Sequence, residues 1–172
     1  QILAAEPNDV RGLLLRATSL YGSRDLNGAR RDLEAILGRY PNLGDALYMM
    51  ARVQLGSGQQ AQAQATFEKM SQVNPSDPRG LMGRVETLLQ LGKGEEGMKL
   101  IESELAKQPD RNDIRNALAN VAVRVGRYDR AIAEFQKLLA ANPKDPSVVL
   151  RLAETYKRNN DLPNAIKYFK QG

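Results

Sequence analysis

Prolines recur along this chain at a fixed interval of 34 residues. They stand at Pro7, Pro41, Pro75, Pro109 and Pro143. A constant period of this length is typical of stacked structural repeats, in which each unit contacts only its neighbours. An ordinary globular domain has no reason to space proline equally. The period therefore predicts an array of small repeated units instead of one domain with a single core.

Each interval contains two amphipathic helical patterns separated by a short turn. In the first interval the apolar residues Leu13, Ala17 and Leu20 are spaced by three and four positions, which places them on one face of a helix. A second pattern follows after a turn around Gly22 to Asp25. Because a turn of a few residues reverses the chain, we expect successive helices to be antiparallel.

The expected helix ends carry matching chemical signals. Asp9, Asp77 and Asp145 each precede a first helix, where a carboxylate caps the unpaired N–H groups. Proline follows two of these aspartates, at the first helical position, where its missing N–H costs nothing. Four residues at one repeat position fit a left-handed helix end: Gly58, Gly92, Gly126 and Asn160.

These signals divide the chain into repeats. Residues 1–9 match residues 137–145 and are expected to be the end of a second helix from a preceding repeat. Whole repeats are expected at 10–43, 44–77, 78–111 and 112–145, followed by a truncated repeat at 146–172.

Two features depart from the pattern. The repeat at 78–111 is rich in glycine, with Val85 and Gly97 where the other repeats have alanine. Glycine inside a helix costs about 1 kcal/mol relative to alanine, so we expect this repeat to be the least stable, either as a hinge or through tolerated sequence drift. The second feature is Arg115, at a position that is leucine or valine in the other repeats.

The composition excludes most catalytic chemistry. The chain has no His and no Cys, which removes histidine bases, thiol nucleophiles and the usual zinc sites. Neighbouring carboxylates such as Glu95 and Glu96 do not share a helix face. The net charge of +5 is spread along the chain and only 5% of the residues are aromatic, unlike a nucleic-acid surface. We therefore expect no enzyme activity, no cofactor, no nucleic acid and no membrane span in this chain.

The repeat pattern resembles the tetratricopeptide repeat family. The first helices share a small residue, at Ala17, Ala51, Ala119 and Ala153. The second helices share a small residue, at Ala29, Ala63, Ala131 and Ala165. A large apolar residue follows in each second helix, at Leu33, Phe67, Ile101, Phe135 and Phe169. The 34-residue period is that of the same family. The resemblance implies an all-α fold, a right-handed superhelical solenoid of antiparallel helix pairs with a 34-residue repeat.

The resemblance also implies a binding surface. In this family the first helices line a concave groove that binds peptides, and the corresponding residues here are Tyr21, Tyr48, Arg52, Met82, Glu86, Asn116, Asn120, Arg124, Lys157 and Arg158. Leu55 and Leu89 fit either the groove or the core. The expected partner is a protein or peptide with apolar residues and an acidic flank. The positions that bind a terminal carboxylate in chaperone-binding members retain only Arg151, so that subtype is not expected.

Two functions follow from the resemblance. The first is a protein–protein interaction scaffold that binds a partner peptide or helix in the groove. The second is a structural spacer or assembly module of a bacterial-type envelope, secretion or polysaccharide-export complex. The second includes end-to-end self-association through the ends of the array. The sequence indicates no compartment.

Overall fold

A computed structural model describes residues 9–171 of the chain. Those residues form ten α-helices and contain no β-strand. The helices are α1 (Val10–Gly22), α2 (Leu26–Arg39), α3 (Gly44–Gly56), α4 (Gln60–Val73), α5 (Pro78–Gln90), α6 (Gly94–Lys107), α7 (Asn112–Arg124), α8 (Tyr128–Ala141), α9 (Pro146–Arg158) and α10 (Leu162–Phe169). The chain is thus an all-α helical repeat of the solenoid class, as the periodicity predicts.

The contacts of the chain cluster into two compact units. Unit 1 ends at Thr87 and unit 2 begins at Leu88. In unit 1, α1 packs on α2 and α3, α2 on α3, and α3 on α4. In unit 2, α7 packs on α6 and α8, and α9 packs on α8 and α10. Each helix therefore packs mainly on its neighbours in sequence, as in other repeat proteins.

Capping side chains hold several helix starts. The N–H of Gly12 donates to the Asp9 carboxylate over 2.6 Å, and the N–H groups of Ser147 and Val148 donate to Asp145. Asp77 accepts a hydrogen bond from the N–H of Arg79 at 3.0 Å. The three aspartates expected to cap first helices therefore all accept backbone hydrogen bonds.

The turns inside the repeats contain the expected left-handed residues. Gly58, Gly92, Gly126 and Asn160 have φ angles between 61° and 77°. Arg24 also has a positive φ, at 65°, and it occupies the same place in the first repeat. A positive φ is unfavourable for an L-residue with a side chain, because its Cβ approaches the backbone closely.

The small residues of the pattern lie in the helix contacts. Of the eight alanines in the pattern, Ala165 is 2% exposed and the other seven have no exposed surface. Those seven are Ala17, Ala29, Ala51, Ala63, Ala119, Ala131 and Ala153. Packed helix axes lie about 8–10 Å apart, a distance that leaves no room for a larger side chain at these positions.

The large apolar positions are buried in four repeats and exposed in the fifth. Leu33, Phe67, Ile101 and Phe135 are at most 2% exposed, whereas Phe169 is 45% exposed. Phe169 therefore matches the sequence pattern but does not share the burial of its counterparts. The reason is that no described helix follows α10 to cover this position.

Two glycines of the 78–111 repeat have a packing role that the sequence did not indicate. A Cβ on Gly80 would lie 2.9 Å from both the Phe67 carbonyl oxygen and the Ser71 nitrogen, which are backbone atoms of α4. A Cβ on Gly83 would collide with the Phe67 ring. These glycines let α5 approach α4 closely. The hinge and drift interpretations of this repeat remain predictions.

No helix in the described residues is both long and apolar enough to pass through a bilayer.

Candidate functional site

In unit 1, the helices bring four of the predicted groove residues around one cavity. Tyr48 and Arg52 come from α3, and Met82 and Glu86 come from α5; all four are half-buried. The members of each pair are four residues apart, so they lie on the same face of their helix. The cavity has a volume of about 370 Å³.

The cavity is also lined by residues outside the ten predicted groove residues. Arg79 stands at a groove position of its repeat, Leu55 fits either groove or core, and Phe67, Pro78 and Gly83 were not predicted to line the groove. Phe67 is 2% exposed and reaches the cavity from α4. The Phe67 ring packs against the backbone of Gly83, in the space that a side chain at that position would occupy. The only feature of the sequence that could have indicated these lining residues is Gly83 in the middle of a helix. Whether such a glycine accommodates a ring depends on the spacing of α4 and α5, which the sequence does not give.

Two guanidinium groups lie over the ring of Tyr48. The Cζ atoms of Arg79 and Arg52 lie 5.1 Å and 5.7 Å from the ring centroid. Arg52 also lies 4.7 Å from the centroid of Tyr21, the fifth predicted residue of this unit. Cation–π contacts at these distances contribute about 0.5–1 kcal/mol at exposed sites. The arrangement places a positive charge at the rim of an apolar cavity.

The two arginines differ in their carboxylate partners. Arg79 pairs with Asp45 at 2.9 Å and with Asp77 at 2.7 Å, and its hydrogen bond holds the pKa of Asp77 below the ordinary value. The contacts of Arg52 that the structure describes are the two rings and the sulfur of Met49 at 3.9 Å. None of these is with a carboxylate.

In unit 2, two predicted residues form a polar cluster with an arginine. Arg151 donates to the side-chain oxygens of Asn120 at 3.0 Å and Asn116 at 3.3 Å. The Asn120 amide also donates to Asn116 at 3.4 Å. The sequence reasoning assigned both asparagines to the groove but did not assign Arg151. The cluster fixes both amides before any ligand binds.

The other predicted residues of unit 2 are exposed cations at helix ends. Arg124 lies in the last turn of α7, and Lys157 and Arg158 lie in the last turn of α9. All three are exposed. Cations at these positions interact favourably with the helix dipole, so a structural role accounts for them as well as a binding role does.

The buried charges of unit 2 have structural partners. Glu134 has no exposed side-chain surface and contacts Arg115 at 2.7 Å, Lys137 at 2.9 Å and Arg130 at 3.4 Å. Burial raises the pKa of this carboxyl, but hydrogen bonds from Lys137 and Arg115 outweigh the burial and leave its pKa below the ordinary value. Arg115 also donates to the carbonyl of Pro109 at 2.6 Å. The arginine that breaks the repeat pattern is therefore the partner of a buried acid.

Comparisons with known proteins identify the family of this chain. Two family models, both described as tetratricopeptide repeat, match residues 20–84 and residues 116–172. The chain belongs to the tetratricopeptide repeat family. As a tetratricopeptide repeat chain, it has a fold that is typically non-catalytic. Membership of this family supports a general role as a protein-interaction scaffold.

One curated relative matches most of this tetratricopeptide repeat chain. "Cellulose synthase operon protein C" of Pseudomonas fluorescens is 30% identical over 168 residues. The match covers 92% of this chain but only 13% of the relative's length.

Solved structures of other repeat proteins share the fold. PilW, described as a widely conserved type IV pilus biogenesis factor, superposes with a TM-score of 0.70 at 18% identity, covering 98% of this chain and 79% of PilW. A tetratricopeptide repeat protein from Parabacteroides merdae gives 0.68 at 18% identity, covering 98% and 66% of the two chains. YrrB, described as having an unusual peptide-binding site, gives 0.58 at 14% identity, covering 98% and 87%. At these identities the likeness concerns the fold alone.

Proposed function

We propose that this chain binds a segment of a partner protein on the face formed by the first helices of its repeats. The observation that carries the proposal is the cavity of unit 1, where Tyr48, Arg52, Met82 and Glu86 surround an apolar floor. Ligand sites in proteins are typically concave and apolar with a few placed polar groups. The cavity has this composition. YrrB, of the same fold, is described as a peptide-binding protein, which is consistent with the proposal.

The experiment that tests this proposal selects peptides on the immobilised chain from a displayed random library. Selected peptides are then measured by calorimetry against the wild-type chain. We expect Tyr48→Ala combined with Arg124→Glu to weaken binding at least tenfold, since the first change removes a cavity wall and the second reverses a charge at the other predicted end. The matched control is Tyr40→Ala, because Tyr40 lies between α2 and α3 and is 52% exposed.

Circular dichroism must show that the double variant keeps its helices. Binding that the double variant retains at wild-type affinity would place the site elsewhere. A library that yields no binding peptide would contradict the proposal itself.

A second candidate function is favoured by the curated relative. The name of that relative, cellulose synthase operon protein C, refers to a polysaccharide system. As the alternative, we propose that the array is a spacer or assembly module in such an envelope machine. For a spacer, length matters and the groove does not. In cells that produce this protein, deletion of residues 112–145 should then impair polysaccharide export, while Tyr48→Ala with Arg124→Glu should not. The reverse result would favour the groove.

A further inference from the structure

The cavity of unit 1 has features that define the chemistry of its occupant. Its floor is the Phe67 ring, and its sides include Leu55 and Met82. Gly83 lets that ring pack against the α5 backbone, because any side chain at this position would collide with Phe67. A cavity of about 150 Å³ lined by apolar side chains is large enough to bind benzene. The volume of about 370 Å³ here therefore accommodates an aromatic side chain.

The walls favour an aromatic ring over an aliphatic group. Tyr48 is half-buried and borders the cavity, and its ring lies 6.2 Å from the Phe67 ring at a tilt of 54°. An aromatic ring in the cavity would gain an aromatic contact with Tyr48. Met82 adds a thioether, which interacts favourably with aromatic rings.

The rim favours a negative charge beside that ring. Asp45 and Asp77 balance the charge of Arg79. The described contacts of Arg52 are instead with Tyr21, Tyr48 and Met49. Glu86 also lines the cavity and has an interaction of its own. Arg52 is thus the cation at this rim whose described contacts include no carboxylate, and a guanidinium recognises carboxylates through paired hydrogen bonds.

We propose that the cavity binds an aromatic side chain of the partner and that Arg52 pairs with a carboxylate next to it in the partner's sequence. The inference rests on the proposed function and names the chemistry of its partner. The carboxylate is an acidic side chain adjacent to the aromatic residue, because the positions that bind a chain terminus in chaperone-binding members retain only Arg151 here. A chain terminus that ends in an aromatic residue is the alternative source that the test distinguishes. Both sources present the same group to Arg52.

The test is a titration of the ¹⁵N-labelled full chain followed by NMR. Three probes are compared: N-acetylphenylalanine, whose carboxylate is terminal; acetyl-Phe-Asp-amide, whose carboxylate is a side chain; and N-acetylphenylalaninamide, which is neutral. We expect acetyl-Phe-Asp-amide to bind most tightly and to shift the amide signals of Gly83 and Met82, with the neutral probe binding about tenfold more weakly, as a charge-assisted hydrogen bond implies. Which anionic probe binds more tightly identifies the source of the carboxylate.

Substitutions at Arg52 and Gly83, each with a companion variant, test where the probes bind. Arg52→Gln should bind all three probes with equal affinity, whereas Arg31→Gln should behave as the wild type, because Arg31 is an exposed arginine of α2 outside the cavity. Gly83→Ala should abolish the shifts, because the added Cβ would displace the Phe67 ring that lines the cavity. If that variant does not fold, Met82→Ala, which removes the thioether from a half-buried wall, should weaken all three probes alike.

The outcomes separate this inference from the proposed function. Equal binding of charged and neutral probes to the wild type, shifts centred away from Gly83, or no shifts at millimolar probe would each overturn the inference. Selected peptides that still bind the chain in such a case would leave the proposed function standing. If the probes bind but no peptide is selected, the proposed function is contradicted. The cavity would then bind a ring and a carboxylate as described without serving a partner segment.

Discussion

Single residues carry the clearest departures from the repeat pattern, and Arg24 is the simplest. Its φ of 65° is left-handed, in the place where three other repeats have glycine. An L-residue in this conformation costs about 1–2 kcal/mol. Replacement of Arg24 by glycine would remove this cost, but part of the gain is lost because glycine increases the conformational entropy of the unfolded chain.

We therefore predict that Arg24→Gly increases the free energy of unfolding by about 0.5–1 kcal/mol. Urea denaturation followed by circular dichroism measures it. The matched control is Gly126→Ala, with a φ of 77° and no atom within 4 Å of the added Cβ, which should lose about 1 kcal/mol through backbone strain alone. A destabilised Arg24→Gly variant would mean that the arginine side chain contributes more than its backbone costs.

Glu134 and Arg115 give a second prediction at this scale. Glu134→Gln should lower stability by about 1–3 kcal/mol, because the largely buried guanidinium of Arg115 loses its counter-charge. The double variant Arg115→Leu with Glu134→Leu should lie within about 1–2 kcal/mol of the wild type, because apolar replacement of a buried pair is often neutral. The repeat at 78–111 already has this pair of residues, at Leu81 and Leu100.

A double-mutant cycle in denaturant measures the coupling between the two positions. Additive single effects would contradict a paired role. The sequence showed Arg115 as an exception, but it did not show why. The partner is 19 residues away on another helix, and nothing in the period of 34 links the two positions.

At the scale of helices, the contact between α4 and α5 yields a matched pair of glycine substitutions. A Cβ on Gly80 meets backbone atoms of α4 at 2.9 Å, and backbone cannot move aside as a flexible side chain does. Gly38, near the end of α2, has no atom within 4 Å of its added Cβ.

We predict opposite signs for the two changes. Gly80→Ala should destabilise by about 1–3 kcal/mol through overpacking, while Gly38→Ala should stabilise by up to about 1 kcal/mol through helix propensity. Thermal melts of both variants give the comparison. Stabilisation by Gly80→Ala would show that α4 and α5 are farther apart than described.

The helices themselves could largely be predicted from the sequence, and their contacts could not. Apolar spacing and capping aspartates such as Asp145 are local signals, so they fix where helices begin. The packing of Phe67 against Gly83 depends on how two helices approach each other, and a repeat pattern does not record that distance. Phe169 matches the pattern but is exposed, because the pattern describes a position, whereas burial depends on the helix that covers it.

At the scale of the whole chain, the titratable groups set the response to pH. The chain has no His and no Cys, so no ordinary side chain changes charge between about pH 5.5 and 8. Several carboxyls among residues 9–171 have pKa values below their ordinary range. Asp77 and Asp113 accept hydrogen bonds from Arg79 and Arg111, Asp145 accepts from Ser147 and Val148, and Glu134 is held ionised by Lys137 and Arg115 against the opposing effect of burial.

A carboxyl whose pKa is lower in the folded state stabilises the fold above its unfolded pKa, which is about 3.9 for Asp and 4.3 for Glu. That contribution is lost as the pH falls through the folded pKa. We therefore predict a melting temperature that stays nearly constant from about pH 8 to pH 5.5 and falls steadily below about pH 4.5. Scanning calorimetry across this range measures it. The variant Arg115→Leu with Glu134→Leu should show a shallower fall, because it lacks the carboxyl that is buried with three cations, and an identical fall would show that Glu134 contributes nothing to acid sensitivity.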